Sequence, residues 1–114
     1  MRPLIVTLLA AASLSAAQCK QTSTGTMTFT GTITDDMCPM ADHSQMQMGP
    51  TDAECVTACR YAHGAKYVLY DGKDAYTLSD QETPSKFAAQ RVQVTGTLDA
   101  PTKTIKVDSI TAAK

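Results

Sequence analysis

Phe29-Thr-Gly-Thr-Ile33 and Val94-Thr-Gly-Thr-Leu98 are near copies of one another, and they decide the fold. Around the first, Met27, Phe29, Gly31 and Ile33 alternate with Thr28, Thr30, Thr32 and Thr34, the period of a half-buried strand with a threonine outer face. Around the second, Val92, Val94, Gly96 and Leu98 alternate in the same way. A glycine in mid-strand marks a sharp bend or a close backbone approach, as strands one and four of a small barrel require where they pair. Their likeness is read as convergent strand chemistry and not as a repeat.

Working outward, Asp35-Asp36 ends the first strand, and Pro39, Gly49 and Pro50 make residues 37–50 a loop. Thr51-Asp-Ala-Glu54 is a capping box, with acidic residues at the positive end of the dipole, and it opens a helix that runs to about His63. Gly64 supplies the left-handed stop. Tyr67 to Asp71 and Ala75 to Leu78 flank Asp71-Gly-Lys-Asp74, a hairpin signal. Thr83-Pro84 starts a short helix with Thr83 as cap and with Phe87 and either Ala88 or Ala89 as its buried side. Ala100-Pro-Thr-Lys103 is a turn before a last strand led by Ile105 and Val107, and Ile110 breaks its alternation in a way that predicts a bulge near Ser109. The expected fold is mainly β: a small five-stranded OB-like Greek-key barrel, with a cysteine-bearing helix between strands 1 and 2 and a short helix between strands 3 and 4.

The N-terminus predicts export. Arg2 precedes a short apolar run from Leu4 to Leu14, and Ser15-Ala16-Ala17 offers small residues at a cleavage site. The expected organisation is a signal peptide over residues 1–17, a flexible Ser/Thr-rich tether over 18–26, and one OB-like domain over 27–112. Cys19 is a candidate for lipidation, which would be the chain's one link to a membrane. The expected location is periplasmic or on the outer surface. The formal charge is −1, the chain has no Trp, and no basic patch is visible, which argues against nucleic acid as a partner.

The chemistry gathers between Met37 and His63, where Cys38, Cys55, Cys59, His43, His63, Met37, Met40, Met46 and Met48 are concentrated. These are soft or borderline donors suited to copper as Cu(I) or to zinc. Cys55, Cys59 and His63 recur every fourth residue on one helix face. With Cys38 and a folded-back His43, the thiols Cys55 and Cys59 make a Cys3His set that matches a closed tetrahedral zinc site. The four methionines and His63 form an auxiliary shell, although His63 also reads as an exposed residue that complements the helix dipole. The metal reading therefore rests on Cys38, His43, Cys55 and Cys59.

The alternative is a disulfide-stapled structural or interaction domain without metal, whose partner would be an unidentified periplasmic protein. A Cys38–Cys55 or Cys38–Cys59 bridge closing about 20 residues would contribute roughly 3 kcal/mol. Cys55 and Cys59 are poor partners for each other, because helical i,i+4 residues sit near the upper limit of disulfide Cα separation. Catalysis is not expected. A Cys38–His43 pair could be drawn, but no pattern marks an oxyanion hole, and Cys-x3-Cys is not the disulfide-exchange spacing, so a thiol-redox role is a minor alternative.

Thr30-Gly-Thr-Ile-Thr-Asp-Asp-Met-Cys38, Asp52-Ala-Glu-Cys55 with Cys59, Gly64-Ala-Lys-Tyr67 and the Val94–Leu98 strand together resemble a group of small exported bacterial proteins. The resemblance implies one OB-like domain and export, and it supplies no reaction. A looser similarity is to periplasmic OB-fold copper chaperones, which use Met, His and an aromatic residue. This chain has no Trp and adds cysteines.

Overall fold

A computed structural model describes residues 25–113 of the chain. Its elements are β1 (Met27–Asp35), α1 (Asp52–His63), β2 (Tyr67–Tyr70), β3 (Ala75–Leu78), a 3-10 helix (Thr83–Phe87), β4 (Arg91–Asp99) and β5 (Thr104–Ala112). The strands close into a barrel in the order β1-β2-β3-β5-β4. All neighbours are antiparallel except β3 and β5, which run parallel through Thr77↔Thr104 and Leu78↔Ile105. This is the five-stranded mixed ring, with one helix after β1 and a short one after β3, that the alternation predicts. The cleavage site and Cys19 lie outside the described residues. Among the described residues no helix is long and apolar enough to cross a membrane.

The first strand serves two neighbours in turn. Its beginning pairs with β4 from Met27↔Gly96 to Thr32↔Arg91, and its end pairs with β2 from Thr32↔Tyr70 to Asp35↔Tyr67. The hand-over falls at Gly31 and Thr32. A Cβ on Gly31 would strike the carbonyl oxygen of Tyr70, and one on Gly96 would strike the carbonyl oxygen of Lys106. Both glycines are thus required by close backbone approach. Between Thr95↔Ser109 and Gly96↔Val107 the register shifts, leaving Asp108 as the extra residue of a bulge beside Ser109.

Inward side chains fill the ring: Ile33, Tyr67, Leu69, Leu78, Val92, Val94 and Ile105 are buried together, joined by Val56 of α1 and by Ala88. Burying such a side chain contributes about 1.5–3 kcal/mol, and Val56, with no exposed surface, is the helix's anchor in that core. The helix begins as its sequence dictates, with Glu54 N–H donating to Thr51 Oγ1 at 3.2 Å. The reciprocal bond differs from the usual box: Glu54 Oε2 accepts from the Thr51 hydroxyl at 2.9 Å. Gly64 ends the helix at φ 66°.

One local expectation fails. Thr83 does not cap a helix but is the first residue of the 3-10 turn, and Asp80 Oδ1 instead accepts from the N–H groups of Glu82 and Thr83 at 2.9 and 3.0 Å. An aspartate carboxylate that bonds the backbone N–H two residues on makes an Asx turn, the local alternative to a hydroxyl cap. Pro84 is buried, so this turn packs onto the barrel through its proline.

Candidate metal centre

The site starts from the phase of β1. Gly31 and Ile33 face inward, and two residues on, Asp35 does too. It has no exposed surface. Its Oδ1 accepts from the N–H groups of Met37 and Cys38, both at 3.0 Å, which turns the chain sharply at the strand's end. Thr34, also fully buried, donates its hydroxyl to the Cys38 carbonyl at 2.8 Å. Cys38 is therefore held at both its amide and its carbonyl by the last two residues of the strand.

Beyond Cys38 the loop folds back through short turns. Ala41 N–H donates to the Cys38 carbonyl at 3.0 Å, Asp42 Oδ1 accepts from Ser44 N–H at 3.0 Å, and Met46 N–H donates to the His43 carbonyl at 3.2 Å. The result carries His43 back to the strand end, where it is 6 % exposed. A carboxylate oxygen of Asp35, the sulfur of Cys38 and a ring nitrogen of His43 then lie within 4.8 Å of one another, all three residues buried.

Two atoms of this group are buried without a hydrogen-bond partner: Asp35 Oδ2 and His43 Nδ1. An unsatisfied buried polar group costs about 1–3 kcal/mol, and more when charged. Two such orphans in one place form a binding opportunity for a cation, which would satisfy both. The local field has the right sign. Burial pushes the Cys38 thiol above its ordinary value, and the charges of Asp35, Cys55 and Asp42 push it the same way. Cys59 is pushed up to about 11, again by burial first, then by Asp35 and by the charge and hydrogen bond of Cys55. A cleft of about 420 Å³, lined by Asp42, His43, Asp52 and Cys55 among others, opens on the His43 side of the group.

The helix thiols are adjacent to this group and differently engaged. Cys55 and Cys59 are buried on the inner face of α1, where they pack with Ala65 and Met46. The Cys55 thiol donates to the Met46 carbonyl at 2.7 Å, and its sulfur accepts from Met48 N–H at 3.4 Å. It clips the loop that carries His43 to the helix. Among the described residues Cys38, Cys55 and Cys59 are free thiols. His63 is exposed in the last turn of α1, where it complements the dipole. Met37, Met40 and Met46 line a cleft beside Cys38, while Met48 lines a different one, against Ala53 and Thr57 of α1.

Of the four residues the sequence put forward, the structure groups Cys38 and His43, and it adds Asp35, which the sequence reading took for a strand terminator. The signal was present. Asp35 continues the inward phase of Phe29, Gly31 and Ile33, so an acid there had to be buried and needed a reason to be. Asp36 is the exposed one of the pair; its N–H and Oδ1 exchange bonds with the backbone of Lys66 at 3.0 and 3.1 Å.

Comparison with known families places a similarity over residues 63–113, to a family described as a protein of unknown function (DUF5818). That span runs from the last residue of α1 through β2 to β5, so it covers four of the five barrel strands and leaves out β1 together with Asp35, Cys38, His43, Cys55 and Cys59. No curated protein and no solved structure matches the chain.

Proposed function

We propose that this chain is an exported metal-binding domain whose ion sits on Asp35, Cys38 and His43. The observation that carries the reading is the pair of orphaned buried atoms, Asp35 Oδ2 and His43 Nδ1, on two of the three buried residues whose donor atoms lie within 4.8 Å of one another, the third being a thiol. Zinc accepts carboxylate, thiolate and imidazole alike, whereas Cu(I) favours sulfur and takes carboxylate poorly, so the donor set favours zinc. Ligand atoms around a tetrahedral zinc are roughly 3.5 Å apart, given metal–ligand bonds of about 2.0–2.3 Å. The group, within 4.8 Å, needs to contract by only about 1 Å to close on an ion. Cys55 and Cys59 supply the nearest further thiols for a fourth position. The N-terminal sequence supports export, with Cys19 as the candidate anchor.

Catalysis by Cys38 is disfavoured on the same electrostatics. A nucleophilic cysteine needs a stabilised thiolate, and burial together with Asp35 pushes this thiol the other way. Binding a cation reverses that balance by replacing the thiol proton.

The test is the native intact mass of protein recovered from the export compartment, followed by Co(II) loading of the reduced protein. One bound zinc, and a thiolate-to-cobalt charge-transfer band that Asp35→Asn and His43→Ala remove, are the expected results. A mass lowered by about two daltons per bridge, with no ion, would replace this reading with the disulfide-stapled domain. Cys55 acts on the ionisation of both Cys38 and Cys59, and Cys38 acts on that of Cys59, which is the proximity such a bridge would use.

A further inference from the structure

Exposed methionine is the least expected feature of the loop. Met40 is 66 % exposed and Met37 40 %, on a loop otherwise composed of polar and turn residues. Methionine used for packing is buried. Met46, by contrast, turns inward against Cys55 and Cys59. Yet all three line one cleft of about 370 Å³, together with Cys38, Asp42 and Gln45. No lysine, arginine or histidine is in its lining, and Asp42 contributes a carboxylate.

We propose that this cleft is a second metal site, for a soft monovalent ion, Cu(I) or Ag(I), seated on the thioether sulfurs of Met37, Met40 and Met46 with the Cys38 sulfur in its wall. Thioethers are neutral donors that need no deprotonation and cannot be lost to a disulfide, and they select Cu(I) over zinc. The buried group offers the oxygen, nitrogen and thiol donors that zinc accepts, whereas zinc barely binds thioethers, so the cleft is the site that excludes zinc. They meet at Cys38, which belongs to both the cleft and the buried group. The proposal stands apart from the zinc reading, because its ligands are the methionines.

Silver is the probe, since Ag(I) mimics Cu(I) without redox change. Protein labelled with ¹³C at the methionine methyls is reduced and titrated with Ag(I) to one equivalent, both metal-free and after zinc addition. The methyl resonances of Met37, Met40 and Met46 are expected to move in both samples, and those of Met27 and Met48 to stay. Replacing Met37, Met40 and Met46 together by leucine is expected to weaken Ag(I) at least tenfold and leave the Co(II) spectrum unchanged. Silver uptake with all methionine methyls unmoved would assign it to the thiols alone and overturn the proposal. Equal movement of Met27 and Met48 would overturn it as non-specific binding. Absence of a Co(II) spectrum with the three methyl shifts intact would overturn the zinc reading and leave this one standing.

Discussion

Replacing Asp35 by asparagine separates a structural acid from a metal ligand. The substitution keeps the shape, and the amide oxygen can still accept from the N–H groups of Met37 and Cys38, now without charge assistance. Hydrogen bonds to charged groups contribute about 1.5–3 kcal/mol and neutral ones about 0.5–1.5, so weakening the two bonds costs about 2–3 kcal/mol. Against that, the change removes a buried carboxylate charge whose Oδ2 has no partner, a relief of about 1–3 kcal/mol. The metal-free variant should therefore melt within about 1 kcal/mol of the parent.

With zinc the two proteins should part. At a free ion concentration of about 100 Kd the parent gains about 2.7 kcal/mol, which at 4–8 °C per kcal/mol is a rise of about 10–20 °C for a domain of this size. Even partners that only orient a ligand cost 10–100-fold in affinity, so losing a ligand should cost about 100-fold or more. At the same zinc concentration the gain then falls to about 0.4 kcal/mol, or a few degrees. The assay is a pair of thermal melts, with zinc and with chelator, on reduced protein. A variant that keeps the full zinc-induced rise would refute the ligand role of Asp35. A metal-free variant that has lost several kcal/mol would show that its carboxylate is a structural keystone instead.

Three further outcomes follow from the geometry. Cys55→Ala removes the bonds to Met46 and Met48, so metal affinity should fall about tenfold, by analogy with other orienting groups, and the Met48 amide should exchange faster with deuterium. Gly31→Ala drives a methyl into the Tyr70 carbonyl and should lose about 3 kcal/mol, at the upper end for overpacking, in a denaturant titration; an unchanged midpoint would contradict the close approach. Cys59 titrates near 11 in the folded protein against an ordinary 9.0. Between those values the unfolded chain ionises first, so metal-free protein should hold its stability below pH 9 and lose it as pH rises toward 11. Cys59→Ala should flatten that fall in melts taken across the range.

The barrel was legible because its determinants are local. Alternation names the strands, and Gly31 and Gly96 name the places where backbones touch. The capping box and Gly64 bracket the helix. The site was legible only in part. Cysteine and histidine announce themselves by type, whereas Asp35 is recognised by phase alone, and an acid beside another acid at a strand's end invites the reading of a stop. The role of Cys55 was hidden for another reason. Its thiol bonds to Met46 and Met48 across a loop whose path is set by side-chain-to-backbone turns at Asp35 and Asp42, and such turns leave no periodic trace. Thr83 illustrates a third limit, since Asp80 holds the start of the 3-10 helix through an Asx-type turn to the N–H groups of Glu82 and Thr83, in place of a hydroxyl cap.

The two-sided pairing of β1 has a kinetic consequence. Closing the ring requires Met27 to find Gly96 and Thr32 to find both Tyr70 and Arg91, contacts between distant parts of the chain that form slowly. Asp35, Cys38 and His43, by contrast, are neighbours even in the unfolded chain. An ion could be captured by that short segment before any strand has paired, and it would fix the end of β1 as a seed from which the ring closes. Loading would then be a step in folding, and refolding with metal present should be faster than refolding without it.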